Sequence, residues 1–257
     1  MDVTDGVRPR VARPAVRTVD IDQGDGINGI DDAVIDLLHA ALDAGQADPE
    51  CRILLLTAAP GVFCTGMNLV AAGRFGDEEA VRRTSGAFYD LLLRFTSAPL
   101  IVACAVDGRV AGGGIGLVAA ADLVFASETS TFALPEALWG LLPCCVLPFL
   151  MRRIGFQRAY SMTLTTRPIG AVEAAACGLA DEIGADLTAM GRRLALRADK
   201  LDPSTIADLK GYAHALWPLS GGTRDLALDE LGRLMGLPEV RERLSAFAEN
   251  GTYPWER

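Results

Sequence analysis

The stretch LIVACAVDGRVAGGGIGLVAAADLVFAS, residues 100–127, decides the fold. It begins with a continuous apolar run, Leu100 to Val106, as expected of a buried strand, and Asp107-Gly108 ends that run. Gly112-Gly113-Gly114 then opens a helix of small residues, and Leu123 to Ala126 forms the next strand. Upstream the order repeats with variations. Ile53 to Thr57 (ILLLT) is another short apolar strand, which empties through Pro60-Gly61 into the loop GVFCTGMNL. A polar helical stretch follows from about Asp77 to Phe95. Earlier still, Val16 to Ile21 alternates like a strand and Gly24 and Gly26 break it. Asp31 and Asp32 supply N-terminal acids for a helix with Val34, Ile35, Leu37, Leu38, Ala41 and Leu42 on one face. Strand, glycine-rich loop, helix and strand in this order define an α/β core.

After about Ala185 the pattern is helical, with Pro203 and Pro238 placed near helix starts. We therefore divide the chain into a core with the active site, residues 1–190, and a helical region, residues 191–257. The 257 residues are half hydrophobic, enough to bury a sizeable core. A net charge of −9 argues against nucleic acid, whose phosphates need a dominant basic surface. Arg8, Arg10, Arg13 and Arg17 occur without an apolar run, so no secretory signal is expected. The uncharged stretch Ile53 to Gly73 is broken by Pro60-Gly61, Gly66 and Asn68, and Ala137 to Met151 is too short to span a bilayer. No membrane association is expected, and the compartment is the cytoplasm. Cys51, Cys64, Cys104, Cys144, Cys145 and Cys177 lie mostly among apolar residues and read as buried thiols. With His39 and His214 the only histidines, no metal site is expected.

Chemistry has three places to sit. The loop Phe63 to Asn68 and the triplet Gly112-Gly113-Gly114 both follow buried strands. Glycine admits close backbone approach, and N–H groups at a helix start favour an anion. Two such groups converging on one oxygen would stabilise an enolate. On their own, the glycines read more readily as tight turns for strand–helix packing. A dinucleotide site fits poorly, because Leu117 stands where the last glycine of its fingerprint should fall. Glu136 is the third feature, an acid in the apolar setting FALPEALWG. Burial raises a carboxyl pKa toward the range of a general acid/base, whereas an acid after Pro135 is more commonly a helix N-terminal charge.

These pieces, in this order, resemble the enoyl-CoA hydratase/isomerase (crotonase) family over about residues 53–183. RILLLTAAPGVFCTGMNL resembles its first oxyanion loop, AVDGRVAGGGIGLVAAADLVFAS its second, and FALPEALWGLLP and TRPIGAVEAAACGLADEI its catalytic and following segments. The resemblance implies a spiral of ββα turns and a C-terminal helical region that builds a trimer or a dimer of trimers. It implies that the backbone N–H groups of Met67 and Gly113 form an oxyanion hole, and that Glu136 is one of the two glutamates of the hydratases. The other glutamate's place holds Gly116. ALWGLLPCCVLPFLMRRIG, FCTGMNL and NGTYPWER look closer to the dehydratase-type members of polyketide β-branching. Those act on a 3-hydroxy-3-methylglutaryl-type thioester held by an acyl carrier protein. Asn68 stands where that subgroup leads us to expect aspartate.

The decarboxylases that follow in such cassettes use a lysine after the first oxyanion loop and a late histidine. This chain has only Lys200 and Lys210, and no histidine after His214. The expected reaction is thus dehydration through an enolate, with Glu136 removing the α-proton and returning it to the leaving hydroxyl. No cofactor is expected beyond the phosphopantetheine of a carrier protein or CoA that bears the substrate. Asn68 and Tyr89 are candidates to hold its distal groups, although Tyr89 also fits the apolar stripe of Phe88, Leu91, Leu92 and Phe95. Arg152, Arg153 and Arg158 are candidates for the phosphopantetheine phosphate or an acidic carrier, or are solvated surface charges. The rival readings are an isomerase of the same fold, a decarboxylase or an enzyme of both steps, and a non-catalytic carrier-binding subunit.

Overall fold

The computed structural model describes residues 16–67, 78–219 and 221–256. The chain climbs in turns, most of which lay one strand into a first sheet and the next into a second before a helix. β1 (Val16–Asp20), β2 (Gly29–Ile30) and α1 (Asp32–Ala47) open it. β3 (Ile53–Thr57), β4 (Gly61–Cys64), β5 (Gly66–Met67) and α2 (Glu78–Ser97) follow. The next turn is β6 (Ile101–Val106), β7 (Gly108–Ala111) and α3 (Gly113–Ala120). β8 (Leu123–Ala126) and β9 (Thr131–Ala133) lead to a 3-10 turn, Glu136–Trp139, and then to α4 (Leu147–Ile154) and α5 (Phe156–Thr165). β10 (Ile169–Gly170), α6 (Ala171–Ala176) and β11 (Glu182–Ile183) finish the sheets. Four helices remain: α7 (Leu187–Ala198), α8 (Pro203–Leu216), α9 (Gly221–Met235) and α10 (Pro238–Asn250), with a last 3-10 turn at Pro254–Glu256.

The first sheet has the order β1-β3-β6-β8-β11 and is parallel throughout. The second has the order β10-β9-β7-β4, with only β10 antiparallel. β2 and β5 make a separate parallel pair. This is the expected ββα spiral. β6 ends at Val106 before Asp107-Gly108, as expected from the sequence, but Gly108 already opens β7. Likewise the loop GVFCTGMNL contributes β4 and β5. These strands are two to four residues long and pair with segments far along the chain, so no local periodicity marks them.

Alternation along β3 distributes side chains to two cores. Leu54 and Leu56 join the main cluster beneath α1, α2 and α3, whereas Ile53 faces Ala103, Phe125 and Met190 under α7. The face of α1 is Val34, Ile35, Leu38 and Leu42, its start capped by Asp31, whose carboxylate accepts from the Val34 N–H at 2.9 Å. Leu37, expected on that face, is 43 % exposed, because it lies a turn's fraction away from the stripe. The division at residue 190 falls inside α7, and the later helices pack back on the core. Lys210 of α8 is 7 % exposed and donates to the carbonyls of Phe95 and Leu100 at 2.7 and 2.8 Å and to Asp122. A smaller cluster of Val81, Leu141, Leu234, Met235, Val240 and Leu244 joins α2, α9 and α10 to the residues just after the Glu136 turn. Among the described residues no helix is long and apolar enough to cross a membrane.

Candidate active site

Three chain segments meet where β5, the start of α3 and the Glu136–Trp139 turn converge. Gly66 adopts φ +101°, and a methyl group built on it would stand 2.8 Å from the Gly113 nitrogen and 3.1 Å from the Ala111 carbonyl. Only glycine fits there. A methyl group on Gly113 would lie 3.3 Å from the Met67 nitrogen and 3.1 Å from Ile30 of β2. Gly112, at φ +52° and ψ −125°, precedes α3 and donates its N–H to the Ala133 carbonyl at 3.1 Å, which ties the helix start to β9. Its own absent side chain would meet Glu136 Oε1 at 3.5 Å. The nitrogens of Met67 and Gly113 and the Glu136 carboxyl therefore share one small neighbourhood at the start of α3, where the Ile115 N–H donates to the Gly112 carbonyl at 2.9 Å.

Glu136 opens its 3-10 turn after β9 and Pro135. Its carbonyl accepts from Leu141 at 3.0 Å, and Gly140 closes the turn at φ +80°. The residue is partly exposed, but Oε2 is sealed and has no hydrogen-bond partner among the described residues. Burial pushes the carboxyl from its ordinary 4.5 up to about 7, opposed only by a hydrogen bond to its own backbone. A carboxyl with that value exchanges a proton readily near neutrality. Beside two backbone donors, it can polarise a carbonyl and move a proton on the adjacent carbon.

The position two residues past the glycine triplet tells a different story. Gly116 is buried, and a methyl group there would meet Leu92, Phe88 and Val146 at 3.1, 3.1 and 3.2 Å. Where a second carboxylate would project, the core closes in.

The remaining candidates divide. Asn68 lies outside the described residues. Tyr89 is fully buried, edge-on to Phe149 at 5.1 Å, as its place in the apolar stripe of α2 requires. Its hydroxyl is nevertheless buried without a partner among the described residues, and burial pushes its pKa up to about 12. Arg153 is nearly enclosed: it donates to the carbonyls of Leu179 and Ala121 and pairs with Asp181, holding α4 to the core. Arg152 is half-buried, with its Nε sealed and unpartnered among the described residues. Arg158 on α5 is exposed. Among the described residues no cluster of His, Cys, Asp or Glu is arranged to hold a metal ion. The six cysteines are unpaired, four of them buried. Gly66 and Gly112 lie in the two glycine-bearing loops singled out from the sequence, whereas Trp139 was not singled out and carries no local signal.

The family model for enoyl-CoA hydratase/isomerase matches residues 12–257. A Bacillus subtilis protein named bacillaene synthase dehydratase PksH is 32 % identical over 89 % of this chain and 88 % of its own length. A solved structure described as a polyketide biosynthesis enoyl-CoA hydratase (pksH) from Bacillus subtilis superposes with a TM-score of 0.84 at 30 % identity, covering 95 % of this chain and 97 % of the other. An enoyl-CoA hydratase-like structure from Mycobacterium avium paratuberculosis gives a TM-score of 0.84 at 27 % identity, with 95 % of each chain covered. The chain belongs to the enoyl-CoA hydratase/isomerase family. It is an enzyme of the hydro-lyase class.

Proposed function

We propose that this enzyme dehydrates a 3-hydroxy-3-methylglutaryl-type thioester carried on an acyl carrier protein, in polyketide β-branching. One observation carries the reading: among the described residues a single carboxyl, Glu136, stands beside the two backbone nitrogens, while the second glutamate's place is Gly116, walled by Leu92, Phe88 and Val146. One carboxyl suffices for a syn elimination, because it can take the α-proton and return it to the hydroxyl leaving from the same face.

The thioester oxygen accepts from the Met67 and Gly113 N–H groups. Glu136, as carboxylate, takes the α-proton, and the electron pair flows into the enolate. As the enolate reforms the carbonyl, the β-hydroxyl departs and takes that proton from Glu136 as water. A value near 7 lets one group perform both transfers. Each oxyanion donor contributes ~2.7–4 kcal/mol to such a step. Tyr89 and Asn68 are our candidates for the substrate's distal carboxylate or hydroxyl. The similarity to a protein named as a polyketide-synthase dehydratase supports the substrate class.

The exposed Arg158 offers its guanidinium to the phosphopantetheine phosphate or to an acidic carrier, whereas Arg153 is spent on Leu179, Ala121 and Asp181 and Arg152 has its Nε sealed. Leu209, Tyr212, Leu216 and Trp217 are exposed apolar residues on and just after α8, which supports a homotrimer or a dimer of trimers. The reaction as written needs no metal or redox cofactor.

Intact-mass measurement of a hydroxymethylglutaryl thioester on a carrier protein, with the wild type and Glu136→Gln, tests the reading. Loss of one water, abolished in the variant, supports it. Further loss of carbon dioxide would assign both steps to this chain. No mass change would return the isomerase, for which one proton-shuttling carboxyl also suffices, or the non-catalytic carrier-binding reading.

A further inference from the structure

The turn that bears Glu136 has little to hold it by itself. It is four residues of 3-10 helix, a form with poorer hydrogen bonds than the α-helix, and Ala137 and Leu138 face solvent. α5 packs against it, and a further attachment comes from the far end of the fold. Trp139 meets Phe247 of α10 edge-on at 5.1 Å, Tyr253 at 6.1 Å and Trp255 at 6.2 Å. Tyr253 in turn stacks on Trp255 at 4.7 Å and leans on Phe247 at 4.9 Å.

The segment after α10 is shaped to make this contact. Gly251 ends the helix in the left-handed region, at φ +67°, its N–H donating to the Phe247 carbonyl at 2.8 Å. The chain then closes a small turn in which the Glu256 carboxylate accepts from the Tyr253 N–H at 2.9 Å. On the other side, Arg243 and Val240 of α10 lie against Gly140, at 2.5 and 3.1 Å from where a methyl group would stand. Tyr253 and Trp255 remain 38 % and 54 % exposed. Rings that wet add little to the core, so their placement calls for a local explanation.

We propose that Tyr253 and Trp255 are positioning residues that clasp Trp139 and so fix the Glu136 carboxyl against the donors of Met67 and Gly113. The proposal rests on Glu136 being the acid/base. It adds that the geometry of the base is set by the segment after α10, through Trp139.

The test uses the full chain with Tyr253→Ala/Trp255→Ala and, separately, Tyr253→Phe/Trp255→Phe. Turnover is followed on the carrier-bound thioester, and α-proton exchange of an acyl-CoA in D2O is followed in parallel. A displacement of about 1 Å in a reacting group costs on the order of 10²-fold, so the alanine variant should lose about 10- to 100-fold in kcat and in exchange rate. KM and the melting temperature should stay near wild type, and the phenylalanine variant should recover most of the rate. Three results would overturn the proposal: wild-type kcat in the alanine variant, a rise in KM alone, or phenylalanine no better than alanine. If the wild type exchanges α-protons but does not dehydrate the thioester, the substrate reading fails while the exchange rates still decide the clasp. A wild type inert in both assays overturns the clasp together with the reading it rests on.

Discussion

The two sides of the site are built by different means. The donor side is backbone: β5 and the start of α3 press together at Gly66 and Gly113, where a side chain would crowd its neighbours, and Gly112 between them takes a φ of +52° that suits glycine. The acid side is a side chain on a short turn, held from outside by α10 and the residues after it. The first is fixed by conformations only glycine reaches, so it comes preformed with the sheets. The second depends on packing made late in the chain, and it leaves the carboxyl dry. The donor side therefore should fail by steric displacement and the acid side by loss of the group or of its setting.

The largest effect is expected at Glu136. Glu136→Gln should reduce kcat by ~10²–10⁴-fold, the usual contribution of a positioned acid/base. It should also stabilise the protein at alkaline pH. The folded carboxyl holds its proton up to about 7 and the unfolded one only to about 4.5, so the folded state binds more protons between these values. Stability is then fully present below 4.5 and falls as pH rises toward 7, by an amount on the order of 3 kcal/mol. Melting curves of the wild type and Glu136→Gln should thus diverge between pH 4 and pH 8, the variant melting higher at pH 8. Coincident curves would mean the carboxyl is hydrated, and the contrast between the two sides would collapse.

Lys210→Ala comes next and separates global attachment from local positioning. It removes the buried ammonium that serves Phe95, Leu100 and Asp122, and breaking such a pair costs about 3–5 kcal/mol. Urea denaturation should show that loss, while kcat of the folded fraction stays near wild type. A large fall in kcat would mean that α8 and not the aromatic clasp governs the acid side.

Gly66→Ala attacks the donor side. The added methyl group would lie 2.8 Å from the Gly113 nitrogen at a φ that alanine resists. We expect kcat to fall ~10²–10³-fold, as when an oxyanion donor is displaced, with a stability loss of about 1–3 kcal/mol. Steady-state kinetics with parallel denaturation would separate the two.

How far each side was legible in the sequence follows the same division. The apolar runs Ile53 to Thr57 and Leu123 to Ala126 are strands with those bounds, since continuous burial on both faces leaves a local mark. The glycines of the donor side were visible for a similar reason, because a backbone constraint sits in the residue itself. β7 was missed: Gly108, Arg109, Val110 and Ala111 carry no period, and their pairing with β4 and β9 is tertiary. Glu136 could be named from its apolar neighbours, but what encloses it could not. Trp139 meets Tyr253 and Trp255 only because α9 and α10 fold back, and no spacing within either segment announces that.

The smallest effect is expected at Gly116, and it sharpens the line between glycines of the site and glycines of the core. Gly116 lies inside α3, with no φ in the left-handed region, so alanine suits its backbone and gains about 1 kcal/mol of helix propensity. Against that, the methyl group meets Leu92, Phe88 and Val146 at 3.1 to 3.2 Å, a crowding that costs about 1–3 kcal/mol. Gly116→Ala should therefore be destabilised by about 0–2 kcal/mol, with kcat and KM unchanged. A fall in kcat comparable to that of Gly66→Ala would place Gly116 against the reacting atoms. The closed wall that replaces the second carboxylate would then be part of the site, and the single-carboxyl elimination would need another residue beside Glu136.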